Sequence, residues 1–268
     1  MNEQFHTSPN PELSSIREES LELIQTGYDF KDKNTGESFY LINKHPENQR
    51  FISLALKGVI NVADIVEYKG RYFSHGQNID HLDSNGDYST SEINADKFIF
   101  RMIFGDNDHA KAPRSAEPNK PNEWETQEYN NIMVDKNSDK KYYFDFDDAD
   151  IGNYSIYNDR DTAELLNKNF SDEEIIIINQ KAKTALDLLF NESHFNAFKS
   201  IVIKSKILEA YKDAKWRVKY GFIQSVNKGK EDDESRIREM FEDFQERFEL
   251  VYGITTEKIS SLKKETSS

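Results

Sequence analysis

Phe104-Gly-Asp106-Asn-Asp108-His109 and, after a polar interval, Asn131-Ile-Met-Val134 and Tyr142-Tyr-Phe-Asp145-Phe-Asp147-Asp148 make up the stretch whose reading decides the fold. Ile132 to Val134 and Lys141 to Phe146 have strand composition, and the polar residues Asp135 to Asp139 between them read as a turn. The segment therefore predicts a β-hairpin with Asn131 at one end and Asp145 at the other. Carboxylates and amides placed where strands end are a common way to hold a divalent cation against phosphate, because Mg²⁺ and Mn²⁺ take hard oxygen ligands. The competing reading is a set of solvated turn acids, which an acidic chain supplies in any case.

Working outward, Ser91 to Phe104 has the spacing of a buried helix, with Ile93, Phe98, Ile99, Met102 and Ile103 on its inward side. It delivers the chain to the acidic loop, while Asp80 to Ser89 before it reads as a polar loop. Further upstream, Ser15 and Glu18 have capping-box spacing for a helix that Gly27 would stop. Tyr28 to Phe30 and Ser38 to Asn43 predict a hairpin turning at Asn34-Thr-Gly36, and Lys44 ends its second strand. Asn48 to Lys57 reads as a short helix with Phe51, Leu54 and Ala55 inward. Val59 to Tyr68 and Arg71 to Ser74 predict a second hairpin around Lys69-Gly70. Beyond Gly152 the expectation is almost wholly helical. Ser171 and Glu174 form a capping box ahead of Ile175 to Leu189, His194 to Val226 has a long helical pattern, and Ser235 to Val251 is the last helix before a polar tail. The pattern is α+β.

At 268 residues the chain can bury a core in one large domain or two lobes. Hydrophobic residues make up 36% and charged residues 31%, which fits a protein with an extensive polar surface. No apolar run is long enough to span a bilayer, and Met1 to Asn10 lacks the basic and apolar regions of a secretory signal. The absence of cysteine excludes disulfides, thiolate metal sites and cysteine nucleophiles. A net charge of −14 argues against a general nucleic-acid binder. The charge is unevenly spread, since Asn196 to Lys230 carries nine Lys or Arg against Glu209 and Asp213.

A strand-rich first part bearing a lysine, a buried helix, an acidic loop and a hairpin holding Asn and Asp together resemble the protein-kinase-like superfamily. The atypical members are nearest: phosphoinositide kinases, HipA-type bacterial kinases and bacterial effector kinases. The resemblance covers about Gly27 to Asp150 and rests on Gly105-Asp-Asn-Asp108-His109, Asn131-Ile-Met-Val and Phe144-Asp145-Phe-Asp147. It implies a two-lobed fold, with a small strand-rich N-lobe over residues 1–79, a C-lobe core over 80–170 and a helical C-terminal extension over 171–268. It also implies an ATP- and Mg²⁺- or Mn²⁺-dependent phosphotransferase acting on a protein or lipid acceptor. Phosphoryl transfer depends on positioning and charge neutralisation more than on a strong base. By resemblance, Asp108 orients or deprotonates the acceptor, with Asp106 the alternative register and His109 beside it. Asn131 and Asp145 hold the metal, Asp147 is a further ligand, and Lys44 meets the nucleotide phosphates with Glu47 as its acidic partner. Two departures stand out. Asp108 and Asn131 are 23 positions apart where the family pattern has about 5, so Ala110 to Tyr129, with Pro113, Pro118 and Pro121, reads as an insertion. No Gly-x-Gly-x-x-Gly is present, only Asn34-Thr-Gly36-Glu. A kinase-like scaffold without catalysis, or transfer of AMP in place of phosphate, are the alternatives.

Two other features compete for function. Asp83-Ser-Asn85-Gly-Asp87 begins like a calcium loop, but the sixth position is Tyr88 and the twelfth Asn94, so a turn capping the next helix is the plainer reading. Lys212, Lys215 and Lys219 fall on one face of the expected long helix, with Lys204 about two turns earlier and Trp216, Tyr220 and Phe222 nearby. Such a face suits an inositol phosphate, a phosphoinositide headgroup or an acidic partner surface, or simply solvent. His75 and His109 lack zinc-ligand spacing. The Lys- and Asn-rich composition and the polar tail are compatible with a cytoplasmic protein or a bacterial effector delivered into a host cell.

Overall fold

A computed structural model describes residues 21–26, 29–42, 46–75, 79–81, 90–104, 131–135, 140–146, 149, 163, 166, 167, 169–204, 216–219, 222–225 and 233–265. The first sheet contains β1 (Leu23–Thr26), β2 (Asp29–Asp32), β3 (Ser38–Ile42), β4 (Asp64–Tyr68) and β5 (Arg71–His75), antiparallel in the order β1-β2-β3-β5-β4. Because β5 lies between β3 and β4, those two run parallel and need a crossover. Helix α1 (Pro46–Ala55) supplies it. Lys69 and Gly70 both have positive φ, 50° and 72°, which the two-residue turn between β4 and β5 requires. One face of this sheet buries Phe30, Phe39, Val66 and Phe73, and the other meets α1 and the second sheet.

The helix expected from Ser15 to Gly27 is not formed where it can be followed, since Leu23–Thr26 is strand β1 paired with β2. Its capping-box spacing was a local signal, and pairing across the sheet outweighs it. The Asp32 carboxylate accepts from the Glu22 N–H at 2.9 Å, and the Glu22 carbonyl from the Lys33 N–H at 2.8 Å. Ser15 and Glu18 themselves lie outside the described residues.

The second sheet has three antiparallel strands, β6 (Ile79–His81), β7 (Ile132–Asp135) and β8 (Lys141–Tyr143), in that order. Strand β6 falls at the start of the segment expected to be loop. The two sheets are stitched by a parallel bridge between Val62 and Tyr143. There the Ala63 N–H donates to the Tyr143 carbonyl at 2.8 Å and the Tyr143 N–H to the Asn61 carbonyl at 3.0 Å.

Helices α2 (Thr90–Phe104), α3 (Asp172–Leu188), α4 (Glu192–Lys204) and α5 (Asp233–Glu265) enclose the main core with α1. Phe51 of α1 sits among Phe104, Phe198 and Phe244, with ring centroids 6.2, 5.0 and 5.4 Å away. At the start of α3 the expected capping box is present: Ser171 accepts from the Glu174 N–H at 3.3 Å, and the Glu174 carboxylate from the Ser171 N–H at 2.6 Å. Arg247 of α5, 5% exposed, donates to the Ile103 carbonyl at 2.6 Å and so satisfies one of the last acceptors of α2. Among the described residues no helix is long and apolar enough to cross a membrane.

Two expectations for the C-terminal part are corrected. The helix drawn from His194 to Val226 does not run through: α4 is described over Glu192–Lys204, and Trp216–Lys219 and Phe222–Ser225 form an antiparallel hairpin, β9 and β10. Trp, Val and Phe favour strands, and Lys219 pairs with Phe222 across a two-residue connection, a spacing typical of hairpins. The last helix does not stop at Val251 but runs to Glu265 through Gly253. Buried Thr255 and the inward Ile254 and Ile259 hold that extension on the core, and Asn179 of α3 donates to the Thr255 hydroxyl at 2.9 Å. Such packing outweighs the roughly 1 kcal/mol cost of a helical glycine.

Candidate functional site

The β7–β8 hairpin is closed at its base by the Phe144 N–H donating to the Asn131 carbonyl at 3.1 Å. Asn131 and Asp145 therefore leave the hairpin from neighbouring positions, and both are half-buried. Both also have left-handed backbones, φ 66° and 61°. That conformation costs an L-residue about 1–2 kcal/mol, less for Asn and Asp, so the surroundings must hold it. Phe144 enters the small cluster between the sheets, 5.0 Å from the Tyr40 ring and beside Met133 and Ala63. Phe146 enters the main core, 5.0 Å from Phe100 of α2. Asp145 is thus pinned between two buried rings committed to different clusters.

A second restraint comes from α1. Gln49, 1% exposed, accepts from the Asp145 N–H at 3.1 Å and from the Ser74 hydroxyl at 3.0 Å, and donates to the Ala63 carbonyl at 2.8 Å. Asn48 donates to the carbonyls of Phe146 at 3.2 Å and Ala149 at 3.0 Å. Two buried amides on adjacent positions of one helix therefore grip the backbone on both sides of the Asp145 carboxylate. Neither residue was singled out from the sequence. Asn48 shares a helical stripe with Phe51, Ile52 and Ala55, and a polar residue on an inward stripe needs a specific partner, but the stripe does not say which, and Gln49 lies off it.

The predicted site residues separate into four groups. Asn131 and Asp145 come together at the hairpin base. Glu47 occupies the first turn of α1, immediately before Asn48 and Gln49. Lys44, Asp106, Asp108, His109 and Asp147 lie outside the described residues, as do Lys212, Lys215 and the calcium-like segment Asp83 to Ser89. The basic helical face is corrected: Lys204 ends helix α4 and Lys219 ends strand β9, so no single helix carries them.

Behind the hairpin lies a buried ionic network. Asp96 of α2, 3% exposed, accepts from the Tyr143 hydroxyl at 2.9 Å and lies 2.7 Å from the Lys181 ammonium. Burial pushes its carboxyl up to about 6 in spite of Lys181, and pushes the Tyr143 hydroxyl well up. Burial also works to raise Glu92, but its bond to Lys141 and the nearby Lys181 outweigh that and hold it low. The network ties β8, which ends two residues before Asp145, to α2 and α3. On the first sheet, His75 stacks on Phe39 at 4.4 Å and lies 3.4 Å from Glu37; burial lowers its basicity although Glu37 and Asp64 oppose this.

The donor set at the hairpin base, one carboxylate and one amide, is chemically suited to Mg²⁺ or Mn²⁺. Among the described residues no cluster of three or more His, Asp or Glu is arranged to hold a metal by itself. A metal here would share its coordination with ligand phosphates or water. Comparison with family models, with curated proteins and with solved structures finds no match.

Proposed function

We propose that the protein is an ATP- and Mg²⁺- or Mn²⁺-dependent phosphotransferase of kinase-like, two-lobed arrangement, acting on a protein or lipid acceptor. The observation that supports it is the pairing of Asn131 and Asp145, both left-handed and half-buried, at the base of one hairpin whose closing bond is Phe144 N–H to Asn131 carbonyl. In this reading Asn131 and Asp145 hold the metal, which neutralises charge on the nucleotide phosphates. Asp108, with Asp106 as the other register, orients the acceptor, and Lys44 meets the phosphates. The order of elements agrees with the proposal: an antiparallel sheet interrupted by one helix between β3 and β4, then a helical part. Incubation of the full chain with ATP labelled at the γ- or the α-phosphate, Mn²⁺ and candidate protein or lipid acceptors is the test. Label from the γ-position that disappears in Asp145→Ala is expected; label from the α-position identifies AMP transfer instead. Equal labelling by wild type and Asp145→Ala would end the reading.

A scaffold without catalysis is the second reading, favoured by one observation. Tyr40, Met133, Ala63 and Phe144 pack together between the two sheets, with Tyr40 against Phe144, and so occupy space beside the hairpin base. Thermal melts separate the two, since a scaffold gains no stability from nucleotide with Mn²⁺.

A further inference from the structure

Gln49 is a buried amide bonded through both its oxygen and its nitrogen, and one of these bonds is made to the residue proposed to hold the metal. Its oxygen receives the Asp145 N–H at 3.1 Å and the Ser74 hydroxyl at 3.0 Å, and its nitrogen reaches the Ala63 carbonyl at 2.8 Å. The chain separation is 96 residues, so the contact owes nothing to local sequence. Helix α1 also holds the next carbonyl in the loop, Phe146, through Asn48 at 3.2 Å. The peptide N–H before the Asp145 side chain and the carbonyl of the residue after it are thus both fixed by α1. The backbone at φ 61° sets the Cα–Cβ direction from which the carboxylate extends.

We propose that Gln49 is a positioning residue for metal binding, fixing the left-handed backbone of Asp145 and with it the direction of the carboxylate; this rests on the phosphotransferase reading. Gln49 touches neither metal nor substrate and acts only through Asp145. The same amide joins α1 to β5 through Ser74, so a displacement of α1 releases the Asp145 N–H and the metal ligand together.

The test is Mn²⁺ binding to the full chain in the presence of a non-hydrolysable ATP analogue, read from the electron paramagnetic resonance spectrum of bound Mn²⁺. Gln49→Met keeps the volume and removes all three bonds. Gln49→Asn keeps an amide but is one methylene too short to reach Asp145. Ser74→Ala removes another bond of the same amide and leaves the Asp145 contact. Groups that orient a ligand commonly change metal affinity by about 10–100-fold. Gln49→Met and Gln49→Asn are expected to weaken Mn²⁺ binding by about tenfold or more, with an altered spectrum, and Ser74→Ala to leave both near wild type. Gln49→Glu should recover binding when protonated, because its carbonyl accepts from Asp145 and its hydroxyl donates to Ala63. Either shortened or apolar variant that folds suffices for the decision. If Asp145→Ala loses Mn²⁺ while the Gln49 variants bind like wild type, or if Ser74→Ala weakens binding as much as they do, the positioning role is overturned alone. If Asp145→Ala binds Mn²⁺ like wild type, the phosphotransferase reading and the positioning role both fall.

Discussion

Asp96→Asn should change how the stability of this protein depends on pH. The Asp96 carboxyl faces Lys181 of α3 at 2.7 Å, Tyr143 of β8 at 2.9 Å, and Glu92 one turn earlier in α2, which itself pairs with Lys141 and Lys181. Burial removes water from the carboxylate and raises it from an ordinary value of 3.8 to about 6. The folded protein therefore binds this proton more tightly than the unfolded chain does. Stability linked to the group is lowest above about pH 6 and is regained as pH falls toward the ordinary carboxylate range. The full difference corresponds to about 3 kcal/mol, of which about 2 is recovered by about pH 4.5. Asparagine keeps an oxygen for the Tyr143 hydroxyl but does not titrate, Glu92, which shares Lys181, is held low, and carboxylates outside this network are common to both proteins and cancel. Denaturant melts of wild type and Asp96→Asn at about pH 7.5 and about pH 4.5 provide the measurement. The stability difference should move by about 2 kcal/mol in favour of wild type at the lower pH. A difference that stays flat, or moves the other way, would refute the argument that desolvation outweighs Lys181 at this carboxyl.

Substitutions at three further positions probe the frame around the site. Ser171→Ala removes the reciprocal cap of α3 and should cost about 1 kcal/mol in denaturant melts; no loss would mean that the cap is redundant with packing. Phe51→Ala empties a fully buried position among Phe104, Phe198 and Phe244 and should cost about 3–5 kcal/mol, whereas a loss below 1 kcal/mol would place that ring outside the core. Gly70→Val puts a branched side chain at φ 72° with nothing within 4 Å of the added carbon, so its expected cost of about 1–2 kcal/mol is backbone strain alone, and Gly70→Asn should cost less because Asn tolerates that conformation.

Elements defined by their own periodicity or end signals were legible in the sequence. The apolar spacing of Ile93 to Ile103 located α2, the Ser171 and Glu174 pair marked the start of α3, and Lys69-Gly70 marked a turn. Elements defined by a distant partner were not. Leu23 to Thr26 carries no strong strand pattern and becomes β1 because β2 pairs with it, and Ile79 to His81 becomes β6 because β7 does. The two C-terminal errors have opposite causes. Helical spacing was read across Trp216 to Ser225, where β-propensity and a two-residue connection decide, and the polar composition after Val251 was read as a tail although Thr255 and Ile259 hold it in the helix. At the site, the hairpin and its two end residues were readable from composition. The left-handed backbones and the amides that hold Asp145 were not, because a hydrogen bond between residues 49 and 145 leaves no trace in local pattern.

The bonds that orient Asp145 are also bonds that hold the two sheets together, and this separates two kinds of loss. Gln49 spans Ser74 of β5, the Ala63 carbonyl and the Asp145 N–H, while Ala63 itself donates to Tyr143 of β8. Removing Gln49 leaves buried donors and acceptors unsatisfied, each costing about 1–3 kcal/mol, so any effect on metal binding arrives with a loss of stability. The Asp145 side chain is half-buried, and its backbone is held from outside by Phe144, Phe146 and α1. On the proposed reading, a backbone held from outside suits a ligand side chain, and a shared buried amide suits its support. Stability and metal affinity should therefore move together across variants of Gln49 and separate in Asp145→Asn, which keeps a residue tolerant of φ 61°.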